Sequence, residues 1–247
     1  MQLIKKRFKK AIKTYDKNAI VQNMMASNLI QKISEHCGKK FPKILEIGCG
    51  TGLLTRKIAK NIEFEEFFSN DIVEDHKKII NKIIPNSLFI CENIEKANIE
   101  AEFDLIISNA TFQWIKSFEK FQINLQKMSK NNSIIAFTTF GIENFREIKE
   151  ITGLGLKYKT TTEIKEMFNK NFKLIYEKEE ILQLEFNSPF DILKHISSTG
   201  TNAVCSTKWT KNDLNTFCQK YLKMYETEEK LKLTYNPLYF IFERSCL

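Results

Sequence analysis

A short apolar run, Ile44-Leu45-Glu46-Ile47, passes directly into Gly48-Cys49-Gly50-Thr51-Gly52 and then into Leu53, Leu54, Ile58 and Ala59. The first run reads as a buried strand, and the last four residues recur at helical spacing. Three of the chain's eight glycines thus stand within five residues at a strand-to-helix junction. A doubly wound α/β sheet binds its ligand at such a junction, beyond the carboxyl ends of its strands. Glycine is needed there because a side chain would hold a ligand away from the backbone.

The rest of the chain is consistent with that sheet. Further strands are predicted at 64–70, 88–91, 103–108 and 133–139, with helices between them at 74–84 and 118–128. This alternation implies a parallel sheet with helices on both faces. Ahead of it, Ile4, Phe8, Ile12, Tyr15 and Ala19, then Met25, Leu29 and Ile33, repeat at helical spacing up to Gly38. Beyond Gly141 the rhythm breaks. Residues 141–170 read as helix and loop, 173–186 as one long alternating strand, 190–230 as mainly helical, and 238–243 as a last strand. The expected organisation is one domain over 1–247. Helices in 1–37 cover the ligand site, and inserts at 141–170 and 187–230 form a lid.

The junction could take a dinucleotide or S-adenosylmethionine, and two features choose between them. Gly48-x-Gly50 is followed by Gly52 and not by the spacing of a dinucleotide fingerprint. Glu46 stands at the strand end, where a carboxylate organises the loop near a methionine moiety but repels a pyrophosphate. Nineteen residues past Gly52, Asp71 ends the second strand, positioned to accept hydrogen bonds from a ribose. The fourth strand ends in Ser108-Asn109, where a transferable methyl would point, and is followed by Gln113-Trp114.

Composition excludes other classes. With 43% hydrophobic residues the chain is not disordered, and it lacks the roughly 18–20 uninterrupted apolar residues of a membrane-spanning helix. Six scattered cysteines and three histidines offer neither a disulfide framework nor metal-ligand spacing. The amino terminus begins basic but has no secretory apolar stretch, so the expectation is a reduced, cytoplasmic protein. The net charge is +8, yet only four arginines occur, whereas nucleic-acid readers use arginine for bidentate contacts. Lysine supplies a diffuse field that steers acidic partners.

The chain resembles, nearly end to end, the malonyl-acyl-carrier-protein O-methyltransferase family of early biotin synthesis (BioC), within the class I S-adenosylmethionine-dependent methyltransferases. Phe8-Lys9-Lys10-Ala11 and Tyr15-Asp16-x-x-Ala19-x-x-Gln22 match its amino-terminal signature. Leu45 to Leu54 match its cofactor loop, and Phe103 to Ala110 with Gln113-Trp114 its fourth-strand block. Thr138-Thr139-Phe140-Gly141, Leu193-Lys194 with Gly200-Thr201-Asn202, and Leu233-Thr234-Tyr235 follow in the right order. Two departures stand out: Cys91-Glu92-Asn93-Ile94 replaces a Gly-Asp pair, and Ile142-Glu143 replaces a Pro-Gly pair.

The resemblance implies a Rossmann-like, mostly parallel sheet with an antiparallel last strand and helical lid inserts. It implies methylation of the free carboxylate of malonyl-acyl carrier protein, or of malonyl-coenzyme A, by a monomer without nucleic-acid or membrane partners. Tyr15 and Gln113 are then orienting donors. The cofactor residues are Gln22, Glu46, Gly48, Gly50, Gly52, Asp71, Ile72, Asn93, Ile94 and Asn109. Trp114, Arg146 and Lys149 are assigned to the substrate. Lys5, Lys6, Arg7, Lys9 and Lys10 form a carrier-docking patch, with Lys157, Lys159 and Lys194 as further candidates. Rival readings are another small-carboxylate methyltransferase, a nucleic-acid methyltransferase, and a non-catalytic cofactor-binding protein.

Overall fold

The computed structural model describes residues 2–168, 171–200, 209–225 and 230–245. Three amino-terminal helices, α1 (Gln2–Ala11), α2 (Tyr15–Asn18) and α3 (Ile20–His36), precede the sheet. Strands β1 (Lys43–Ile47), β2 (Glu66–Asp71), β3 (Leu88–Cys91), β4 (Phe103–Ser108) and β5 (Ser129–Phe140) then alternate with α4 (Leu53–Asn61), α5 (His76–Ile83) and α6 (Phe118–Met128). A 3₁₀ turn at Phe112–Trp114 follows β4. The second half contains α7 (Arg146–Thr152), α8 (Thr161–Phe168), β6 (Phe172–Glu179), β7 (Leu182–Phe186), α9 (Pro189–Ser198), α10 (Lys211–Tyr225), β8 (Leu231–Tyr235) and β9 (Pro237–Arg244).

Seven strands form one sheet in the order β3-β2-β1-β4-β5-β9-β6, and β7 pairs with β8 in a separate ribbon. β1 to β5 are parallel, whereas β9 runs antiparallel to both β5 and β6. The Rossmann-like arrangement, with its antiparallel last strand, is the one implied by the sequence. Apolar side chains cover both faces of the central strands. Ile44, Leu105, Ile107, Ile134 and Ala136 pack against α3 and α4, while Leu45, Ile106, Ile135 and Phe137 pack towards α6 and α8. That two-sided burial is why these strands read as unbroken apolar runs. Strand order reverses between β1 and β4, which opens a crevice at their carboxyl ends.

The carboxy-terminal half departs from the sequence reading. Residues 173–186 are two strands in two sheets, not one, and 231–235 form a strand (β8) where none was expected. The cause is Asn236, fully buried between β8 and β9. Its Nδ2 donates to Glu179 Oε1 and to the Glu180 carbonyl, both at 3.0 Å, and so breaks the facing pair of strands at one level. Pro237, which has no N–H for a ladder, follows it. β5 also begins four residues earlier than read, across a register irregularity opposite Phe103 and Leu105.

A third apolar cluster lies over the end of β5. It joins Ile192 and Ile196 of α9, Phe217 and Tyr221 of α10, and Leu231, Leu233 and Tyr235 of β8 to Val21 and Met25 of α3. Among the described residues no helix is long and apolar enough to cross a membrane.

Candidate active site

A partly open cavity lies at the carboxyl ends of β1, β2 and β4. Its floor is the loop after β1. Gly48 has φ +69°, and a Cβ there would sit 2.2 Å from Thr111 Oγ1. Gly50, at φ +51°, differs: a Cβ there would meet no atom within 4 Å, so its missing side chain leaves open space in the cavity. Gly52 packs beneath Ile83 of α5 and does not line the cavity.

Two acids brace this loop. Asp71 accepts from the Gly50 N–H at 2.9 Å through Oδ2 and from the Val73 N–H at 2.8 Å through Oδ1. Glu46 is buried on the α4 side of β1 and accepts from Thr55 Oγ1 at 2.6 Å. Burial above all, and to a smaller degree the nearby Asp71 carboxylate, pushes its carboxyl up to about 8 against the pull of Thr55.

On the opposite side, Asn109 is locked by two bonds. Its Oδ1 accepts from Thr138 Oγ1 at 2.7 Å and its Nδ2 donates to the Gln22 carbonyl at 3.1 Å. Gln22 is 2% exposed, and its side-chain Oε1 has no partner among the described residues. A buried, unsatisfied acceptor costs about 1–3 kcal/mol. Ile72, Asn93 and Ile94 line the far end of the cavity. Asn93 there accepts from the Glu95 N–H at 3.1 Å.

The amino-terminal helices roof the cavity. Ile4, Phe8 and Tyr15 line it, and the Phe8 ring meets Trp114 edge-on at 5.5 Å. Burial, then Asp16 and Asp71, raise the Tyr15 phenol well above its ordinary value, so it stays protonated. Lys5, Lys6, Lys9 and Lys10 are exposed on the outer side of α1, and Arg7 is half-buried. Lys9 pairs with Asp75 at 2.9 Å.

Of the residues the sequence singled out, the structure brings Tyr15, Glu46, Gly48, Gly50, Asp71, Ile72, Asn93, Ile94, Asn109 and Trp114 around this one cavity. Gln22 does not line it; its carbonyl accepts from Asn109, which does. Gln113 does not line it: its Nε2 donates to the Ala110 carbonyl at 2.7 Å, and its Oε1 accepts from Thr139 Oγ1 at 3.1 Å. Arg146 and Lys149 lie on α7, outside the cavity, where Arg146 faces Glu143 at 3.6 Å and Glu147 at 3.7 Å. Lys157 and Lys194 are exposed and Lys159 half-buried. Thr201 and Asn202, part of the sequence resemblance, lie outside the described residues, as do Cys205 and Cys246.

Sequence reasoning passed over His76, Glu95 and Thr111, which also line the cavity. His76 is 3% exposed, with Nδ1 3.1 Å from Asp71 Oδ1. Its signal was its place five residues past the acid that ends β2, which a search for metal-ligand spacing ignores. Glu95 Oε1 accepts from the N–H groups of Lys116 and Ser117 and so fixes the segment after the 3₁₀ turn.

Comparison with known proteins adds to this geometry. A family model described as a methyltransferase domain matches residues 45–137. The malonyl-[acyl-carrier protein] O-methyltransferase of Calditerrivibrio nitroreducens is 40% identical over 243 residues, covering 98% of this chain and 96% of that protein. Other curated relatives, 30% to 32% identical over nearly the whole chain, carry the same name. Among solved structures, the BH2331 protein of Bacillus halodurans covers 88% of this chain and 99% of its own, with a TM-score of 0.64 at 11% identity. The N-methyltransferase NodS of Bradyrhizobium japonicum, solved with S-adenosyl-L-homocysteine, covers 89% of this chain and 85% of its own, with a TM-score of 0.53 at 13% identity.

Proposed function

The chain belongs to the malonyl-[acyl-carrier protein] O-methyltransferase family, and from that premise we propose that it methylates the free carboxylate of malonyl-acyl carrier protein, an early step in biotin synthesis. S-Adenosylmethionine is the methyl donor. The observation that carries the substrate is the end-to-end match, which runs through the carboxy-terminal half as well as the cofactor loop. A glycine loop alone would support only a methyltransferase of some kind.

The residues present fit the donor. The open space above Gly50 admits a ligand against the backbone. Glu46 organises the loop beside it, Asp71 is offered to ribose hydroxyls, and Asn93 to an adenine amino group, with Ile72 and Ile94 against the ring. When bound, the donor would supply an electrophilic sulfonium methyl to the ionised carboxylate oxygen.

The acceptor needs no general base, because a carboxylic acid of pKa about 4 is already ionised at neutral pH. What remains is to align its oxygen and keep water out. Tyr15, held protonated, donates towards the carboxylate, while Ile4, Phe8 and Trp114 wall the cavity. Arg146 and Lys149, on α7, lie outside the cavity and are given no part in that alignment. Gln113 acts one layer back, by fixing Ala110 and Thr139.

The α1–α3 helices and the inserts at 141–170 and 187–230 serve in this reading as covers over the site. The exposed lysines of α1, whose inner face lines the cavity, receive the acidic carrier protein. The protein works as a cytoplasmic monomer, without nucleic acid or membrane. The test is incubation with labelled donor and a panel of malonyl-carrier protein, malonyl-coenzyme A, free dicarboxylates and bulk RNA. We expect one methyl ester on malonyl-carrier protein, with turnover falling about tenfold as salt rises through the physiological range. Transfer only to free acids or to RNA would overturn the reading, and salt-insensitive turnover would remove the docking patch.

A further inference from the structure

The structure joins the one-turn helix α2 to the glycine loop through three side chains that no role above uses. Thr51 Oγ1 donates to Asp16 Oδ1. Arg56 Nη2 reaches Asp16 Oδ2 at 2.6 Å, and Arg56 Nη1 donates to the Thr51 carbonyl at 3.0 Å. Asp16 thus bonds at once to the loop that lines the cavity floor and to the helix that follows it. Its neighbour in the chain, Tyr15, lines the same cavity.

We propose that Asp16 is a positioning residue for methyl transfer: by fastening α2 to Thr51 and Arg56 it sets the Tyr15 phenol relative to the cofactor loop. Three facts favour placement over stability. First, α2 has only four residues, and a single helical turn does not hold itself together. Second, Asp16 and Arg56 are 48% and 45% exposed, and an ion pair so open to water contributes little to folding. Third, the rest of the amino-terminal cover is pinned to other parts of the protein. Lys9 meets Asp75 at the start of α5, Phe8 meets Trp114, and Thr14 Oγ1 donates to the Ser198 carbonyl at 3.0 Å. Only the Asp16 bonds, among these contacts, tie the cover to the loop itself. Cofactor loop and Tyr15 therefore move as one body, and a misplaced phenol would cost turnover without unfolding the protein.

The inference rests on the reading of Tyr15 as facing the acceptor, and two measurements separate its failure from the failure of that reading. The first is turnover of malonyl-carrier protein by Asp16→Asn and Thr51→Val, alone and in a Tyr15→Phe background. We expect kcat to fall at least tenfold with a melting temperature within about 2 °C of wild type, and Asp16→Asn to cost less than twofold once Tyr15 is Phe. An unchanged kcat, or the same loss in both backgrounds, would overturn the proposal. The second is amide exchange without any ligand. We expect residues 15–19 to exchange at least tenfold faster in both variants, with 20–36 unaffected; unchanged exchange would also overturn it. If wild-type protein transfers no methyl to malonyl-carrier protein, the functional reading fails, and the exchange result still decides the fastening.

Discussion

The floor of the cavity and the cap over β5 satisfy their buried polar groups in opposite ways. On the floor, Asp71 accepts from the Gly50 and Val73 N–H groups and Glu46 from Thr55, all within one βαβ unit, and the space above Gly50 stays open. In the cap, Glu147 accepts from the Thr234 N–H at 3.1 Å, Asn236 bonds to Glu179 and Glu180, and His195 Nε2 lies 2.7 Å from Tyr235 Oη. Those partners stand 40 to 87 residues apart, joining distant segments of the chain. Local bonds around an open space leave room for a ligand, and bonds between distant segments hold a shape.

The strongest way to break this comparison is Gly50→Val. The side chain fills the open space at a positive φ, so affinity for S-adenosylhomocysteine should fall about a thousandfold, ~4 kcal/mol. Calorimetry at constant fold, checked by circular dichroism, reads it; an unchanged affinity would mean the space is not the ligand's.

Glu46 tests the floor through pH. Because its carboxyl is raised to about 8 in the folded chain, the folded state keeps a proton that the unfolded state releases at the ordinary carboxylate range. The resulting advantage is full at pH 4 and is lost as pH rises through about 8. Denaturant melts of ligand-free protein should show wild type losing about 3–4 kcal/mol against Glu46→Gln between pH 5 and 8. Parallel curves would contradict the burial of a neutral acid.

In the cap, Glu147→Ala strands the buried Thr234 N–H, and should cost about 1–3 kcal/mol of stability. Affinity for S-adenosylhomocysteine should move less than twofold, and a larger change would show the two regions to be coupled. Arg146→Ala is the smallest effect: its two carboxylate contacts are long and it is half exposed, so stability should change by under about 0.5 kcal/mol. With malonyl-carrier protein its kcat/KM should stay within about twofold, and a large loss would return Arg146 to the substrate.

The same contrast explains what could be read in the sequence. Glu46, Gly48, Gly50 and Asp71 were legible because each does its work next to a strand end, at a spacing the βαβ unit sets. Thr111 carries no such spacing and matters only because the fold lays it against Gly48. The break between β6 and β7 was hidden because alternation continues across it, while its cause, Asn236, stands more than fifty residues away. Arg146 read as a carboxylate clamp because its guanidinium suits one, and only the structure shows it turned to Glu143 and Glu147.

The central claim is that the loop after β1 holds a sulfonium donor and not a dinucleotide. Isothermal titration of the purified protein with S-adenosylmethionine and, separately, with a nicotinamide dinucleotide tests it most directly. Saturable one-to-one uptake of the first with no heat from the second is the predicted result; uptake of the dinucleotide alone would contradict it.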